Sequence, residues 1–169
     1  MSQNSLVQQL IKALNDKKQK VSFAESCTGG QLASQLTEIP GVSSVYNGSI
    51  VTYSNESKIQ FLGVSSESLK NFGAVSDTVA QQMALGVKER FQTDWGISLT
   101  GVAGPTGGTP EKPVGTVWIA VAGKSVAVTD VVAQKFLFHG DRKQIQFQAT
   151  QAALSLLLQN LGIGFKSEF

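Results

Sequence analysis

Strand-like runs in this chain end in clusters of small, polar or glycine residues. Val21 and Phe23 alternate with polar neighbours up to "AESCTGG" (24–30), and "GSIVTYS" (48–54) runs into "NESK". "WGISLTG" (95–101) runs into "TGVAGPTGG" (100–108). The first two clusters give way to helix-like segments, and a strand followed by a helix returns the chain to the same end of a sheet. In open α/β sheets, sites form beyond the carboxyl ends of the strands. These three clusters are therefore expected to converge at one edge.

The remaining segments fill in an α/β domain. Residues 1–15 read as an amphipathic helix, with Leu6, Leu10 and Leu14 at i, i+4, i+8 and Val7 and Ile11 beside them. A helix is expected to open at Thr28, carry Leu32, Ala33 and Leu36, and stop at "IPG" (39–41). Asn55 should cap a short helix ending at Gly63, with Lys58 in its first turn. Ser76 or Asp77 should cap a longer helix over 76–91. Late in the chain, "GTVWIAVA" (115–122) and the apolar run Val126–Phe138 predict two or three strands. Asp141 with Gln144 forms a capping box for a last helix lined by Ile145, Ala149, Ala152 and Leu156. The expected fold is one three-layer α/β/α domain spanning residues 1–169, with a mixed β-sheet covered by helices on both faces.

Composition narrows the function. A formal charge of +2 with no basic patch speaks against nucleic acid as a partner. One cysteine and one histidine provide neither a disulfide nor a Cys/His metal set, so no metal and no cofactor are expected. No stretch reaches the length of a membrane span, and the first helix lacks the features of a signal peptide, so a cytoplasmic protein is expected. A homodimer is the expected assembly for a small cytoplasmic protein.

The turn at 25–30 holds Ser26, Cys27 and Thr28 next to Glu25. A helix starting there directs free N–H groups at whatever precedes it, and a developing oxyanion or a phosphate would be stabilised. Ser26 is either a nucleophile or, like Thr28, a cap for that helix. A serine hydroxyl needs a base. His139 is the one histidine and lies far along the chain, just ahead of the last helix. A lysine serves if it is held neutral, but at its ordinary pKa of about 10.4 less than about one part in a thousand is deprotonated at pH 7. Lys58, between Tyr53 and the apolar "IQFLG" run near a helix N-terminus, is the candidate. Cys27 with Glu25 and Lys58 or Lys112 is the rival set, because thiolates outrank alcohols as nucleophiles. "TGVAGPTGG" lacks the Lys-Ser or Lys-Thr of a Walker loop, yet its backbone N–H groups suit an anion.

In combination, "AESCTGG", "VTYSNESK", "GAVSD", "TGVAGPTGG", "KPVGTVW" and "GDR" resemble the C-terminal domain of the competence-damage-inducible protein family, from about residue 5 to 160. Ser49, after Gly48, is a small departure from the family's pattern. Stand-alone members of that family are nicotinamide-nucleotide amidases. The resemblance implies hydrolysis of nicotinamide mononucleotide to nicotinate mononucleotide and ammonia by a Ser/Lys pair, in pyridine nucleotide recycling. Carried onto this sequence, Ser26 is the nucleophile, Lys58 its base, and Tyr53, Thr100 and Arg142 are supporting or substrate-binding groups. Thr28, Gly29 and Gly30 would hold the oxyanion, while Asn55, Gly101, Ala103 and Gly104 join Arg142 around the substrate and its phosphate. A non-catalytic nucleotide-binding or regulatory paralogue of the same fold is the alternative.

Overall fold

The computed structural model of the protein describes residues 3–123 and 130–163. Helix α1 (Gln3–Lys17) leads to strand β1 (Val21–Glu25), helix α2 (Gln31–Thr37), a 3-10 turn (Val42–Ser44) and strand β2 (Tyr46–Val51). Next come helices α3 (Asn55–Leu62), α4 (Ser66–Phe72) and α5 (Asp77–Phe91). Strands β3 (Trp95–Gly101), β4 (Thr116–Gly123) and β5 (Val131–Leu137) precede helix α6 (Arg142–Asn160). The sheet order is β2-β1-β3-β4-β5, with the first three strands parallel and β4 and β5 antiparallel. This is the mixed sheet of an α/β fold that the segment pattern predicts.

Alternation along each strand decides what covers each face. Val21 and Phe23 of β1, Ile97 and Leu99 of β3, and Val117, Ile119 and Val121 of β4 pack with the apolar sides of α1, α2 and α6. Burying one such side chain contributes about 1.5–3 kcal/mol. Most of the intervening positions are small, among them Ser22 and Ala24, Gly96 and Ser98, Ala120 and Ala122, while Trp118 packs against the Ala80–Ala84 side of α5. The small residues let α5 lie close against the sheet, and a Cβ at Gly96 would collide with the Ala84 carbonyl oxygen. α3 and α4 pack beside α5 on that side through Leu62, Leu69, Val79, Met83 and Val87.

The connections place the cleft. From β1 the chain crosses by α2 on one face to β2, then returns by α3–α5 on the other face to β3, on the opposite side of β1. The carboxyl end of β1 is thus a topological switch point, where adjacent connections leave in opposite directions and open a crevice.

Several boundaries differ from the sequence expectation. α2 starts at Gln31, because Gly29 and Gly30 (φ 62 and 98) first take the chain through two left-handed positions. Ser54, in a capping box with Ser57, is the cap of α3, so Asn55 is its first helical residue and β2 ends at Val51. Helix α4 lies in a stretch from which the sequence predicted no element. The last apolar run contributes β5, while residues 126–129 of it fall outside the described residues. The Asp141–Gln144 capping box is present as expected.

Candidate active site

Glu25 closes β1, and its side chain is fully buried beneath the start of α2. One carboxylate oxygen accepts from the Thr28 hydroxyl (2.7 Å) and from the N–H groups of Gly30 and Leu32 (both 3.1 Å). The other accepts from the Ala33 N–H at 2.9 Å. A carboxylate from the preceding strand thus satisfies the free donors of the helix start, with the sign that the helix dipole favours. Neither Ser26 nor Thr28 caps α2. The Gly29 N–H is also taken, by the Ser26 carbonyl at 3.1 Å.

Ser26 sits immediately beyond β1, its N–H bound to the Leu99 carbonyl of β3 at 3.1 Å. Its hydroxyl receives a hydrogen bond from Lys58 Nζ at 3.0 Å. Lys58 Nζ also donates to the Thr52 carbonyl at 2.7 Å, and the side chain is only 1% exposed. Burial pushes the Lys58 pKa below the ordinary lysine value, since desolvation disfavours the ammonium. The neighbouring Cys27 thiol is pushed up to about 12, chiefly by burial, so it stays protonated at neutral pH. Both Glu25 oxygens are occupied, and the Lys112 ammonium is bound to the Phe72 carbonyl at 2.7 Å. Neither residue is arranged as a base for the thiol.

Ser26 and Lys58 open into a cavity of about 270 Å³ at the carboxyl ends of β1, β2 and β3. Such a volume lies just below the usual range of small-molecule sites, about 300–1,000 Å³. Thr100, Gly101, Ala103 and Gly104 line one side, and Tyr53, Asn55 and Arg142 line another. The Thr100 hydroxyl donates to the Ala74 carbonyl at 2.8 Å. Arg142, the first residue of α6, spans the mouth: its guanidinium donates to the Gly104 carbonyl and to the Tyr53 hydroxyl, both at 2.7 Å. Tyr53 is 64% exposed and makes no hydrogen bond to Ser26 or Lys58. Among the described residues, no hydrogen bond occupies the N–H groups of Ala103, Gly104, Thr106 or Gly107, and all four residues line the cavity. Together with Arg142 they form a cluster of donors suited to an anion.

Thr28, Gly29 and Gly30 do not line this cavity, because the Glu25 carboxylate draws the helix start away from it. Of the backbone donors around the serine, the Cys27 and Thr28 N–H groups alone have no protein oxygen as acceptor among the described residues. His139 is exposed and does not line the cleft. Sequence reasoning missed Ala74 and Val75, which also line the cavity, although "GAVSD" contains them. It missed the capping role of Glu25 as well, for which a carboxylate at a strand end just before a helix was the available signal. Among the described residues, no three of His, Cys, Asp or Glu form a metal-binding group, and no helix is long and apolar enough to cross a membrane.

Fold and cleft define an α/β domain with a polar, donor-rich site at the switch point of its sheet. The chain belongs to the CinA C-terminal domain family, whose model matches residues 3–161. It is 45% identical to a CinA-like protein of Chlorobaculum tepidum over 161 residues, covering 95% of this chain and 38% of that protein. A CinA-like protein of Nostoc punctiforme is 48% identical over 157 residues, 93% of this chain and 37% of its own. The chain thus spans little more than a third of the length of these curated relatives. Among solved structures, the competence/damage inducible protein CihA from Agrobacterium tumefaciens superposes with a TM-score of 0.89 at 37% identity, covering 95% of this chain and 99% of that one. A competence-damaged protein (CinA) superfamily protein from Escherichia coli gives 0.88 at 36% identity, covering 94% and 90%.

Proposed function

We propose that the chain is an amidohydrolase that converts nicotinamide mononucleotide to nicotinate mononucleotide and ammonia. The observation that carries this reading is the contact of a buried lysine amine with a serine hydroxyl, 3.0 Å apart, at the wall of the cleft. A depressed pKa leaves more of the amine neutral at physiological pH, and a neutral amine accepts the serine proton. The Thr52 carbonyl holds one N–H of that amine, so its lone pair is available to the hydroxyl.

Ser26 Oγ attacks the carboxamide carbon while its proton passes to Lys58. The tetrahedral oxyanion forms beside the Cys27 N–H, the donor directly after the nucleophile. Lys58 then protonates the departing nitrogen, which leaves as ammonia. Water, deprotonated by Lys58, attacks the acyl-serine, and nicotinate mononucleotide departs with Ser26 regenerated. The free N–H groups of Ala103, Gly104, Thr106 and Gly107 and the Arg142 guanidinium suit the 5′-phosphate.

The test is ammonia release from the purified protein with nicotinamide mononucleotide, against free nicotinamide. Turnover of the nucleotide with little of free nicotinamide is expected. Equal turnover of both would remove the phosphate argument. Nucleotide binding without any turnover would make the chain a binding module.

A further inference from the structure

We propose that Gln146 is a positioning residue that steadies the Ser26 turn and with it the Cys27 N–H, the oxyanion donor, an inference that rests on the Ser26/Lys58 reading. Gln146 lies on α6, one turn beyond Arg142 on the same helix face; Arg142 lines the cleft, and Gln146 reaches the Ser26 turn. Its side-chain Nε2 donates to the Cys27 carbonyl at 2.8 Å, across 119 residues of sequence. Its Oε1 accepts from Gln31 Nε2 of α2 at 2.9 Å. Because Gln31 occupies the oxygen, the amide is left with its NH2 facing the turn.

The peptide group explains why this contact matters. In a trans peptide the C=O and the following N–H point in opposite directions. The Gly29 contact to the Ser26 carbonyl therefore fixes the Cys27 N–H, and Gln146, by holding the Cys27 carbonyl, anchors the other side of the same residue. Among the described residues no protein oxygen occupies that Cys27 N–H, and Cys27 lines the cavity. On the other side of the turn, the Ser26 N–H is bound to Leu99 and the Gly30 N–H to Glu25. Among the described residues, Gln146 is the one side chain from outside the turn and α2 that grips the Cys27 carbonyl. An oxyanion site works only when its donors are aimed before the charge appears, so a loosened turn should slow chemistry more than binding.

The experiment compares wild type, Gln146→Met and Gln31→Met by steady-state ammonia release and by the labelling rate of Ser26 with a fluorophosphonate probe, read by intact mass. In that labelling Ser26 Oγ forms a bond to phosphorus, fluoride leaves and the serine proton passes to Lys58, so it reports on the nucleophile and donors without the natural substrate. Expected for Gln146→Met is a loss of about tenfold or more in kcat and in labelling rate, with KM within about threefold. Gln31→Met should show a smaller loss of the same kind, since it frees the far end of the relay, and the double variant should be little worse than Gln146→Met. Wild-type rates in both variants would overturn the role of Gln146 alone. A parallel loss in kcat, KM and thermal midpoint would make it a structural brace and overturn it too. A wild-type protein inert toward both nucleotide and probe would overturn the Ser/Lys reading, and the inference with it.

Discussion

Lys58 Nζ is bound to the Thr52 carbonyl at 2.7 Å, and this contact fixes where the amine points. The carbonyl lies just beyond β2, and Lys58 lies in the first turns of α3, so the cap of that helix sets the distance between them. A long, rotamer-rich side chain is thereby reduced to one orientation, facing Ser26.

The first prediction follows from the depressed pKa of Lys58. The active form is the neutral amine, so kcat/KM should rise with pH through an apparent pKa below the ordinary lysine value of about 10.4. Stability has its own signature. The unfolded chain binds more protons than the folded one between the folded and ordinary pKa values, so stability should rise with pH across that window. Denaturant unfolding of wild type and Lys58→Met measures it: the stability of wild type relative to the variant should improve from neutral pH toward pH 10. A flat difference would contradict the burial of a titrating amine.

Thr52 offers a second test. Its side-chain hydroxyl is fully buried and has no hydrogen-bond partner among the described residues, whereas its carbonyl serves Lys58. Thr52→Val removes the orphaned polar atom and keeps the backbone contact. We expect activity near wild type and a gain of about 1 kcal/mol, or about 2–4 °C in thermal midpoint for a protein of this size. A destabilised variant would show that the hydroxyl has a partner.

Glu25 should be intolerant of even an isosteric change. Glu25→Gln turns one acceptor oxygen into an NH2 group facing backbone N–H donors, so the helix start loses charge-assisted bonds and gains a donor–donor clash. A loss of at least about 2 kcal/mol is expected in chemical denaturation. A variant as stable as wild type would show that α2 does not depend on this cap.

Arg142 should act on binding. Arg142→Ala removes the guanidinium from the mouth of the cleft and releases Tyr53. The expected outcome is a KM for the nucleotide raised about tenfold or more, with a much smaller change in kcat. Arg142→Lys should restore little, because an ammonium cannot span the Gly104 carbonyl and the Tyr53 hydroxyl as a planar fork does. An unchanged KM would move the anion site elsewhere in the cleft.

What the sequence disclosed divides along physical lines. The capping box of Asp141 and Gln144 is a contact over three residues, and the apolar spacing of Val79, Met83 and Val87 is a property of one helix; both were legible locally. Convergence of the loops after β1, β2 and β3 was legible too, because parallel strands share a carboxyl edge. The register of α2 was not. It depends on Glu25 turning inward under the helix, which no local pattern of hydroxyl residues reveals. Nor did spacing indicate that Gln146 reaches Cys27 or that Arg142 bridges Tyr53 and Gly104, since those contacts exist only once α6 packs across the switch point.

The central claim is that Ser26, and not its neighbour Cys27, is the nucleophile. The most direct measurement is the rate of ammonia release from nicotinamide mononucleotide by Ser26→Ala and Cys27→Ala, each shown to be folded by far-UV circular dichroism. The account predicts at least about a thousandfold loss in Ser26→Ala, roughly 4 kcal/mol of transition-state stabilisation, with most activity retained in Cys27→Ala. An active Ser26→Ala beside a folded but inactive Cys27→Ala would contradict it and assign the reaction to the thiol.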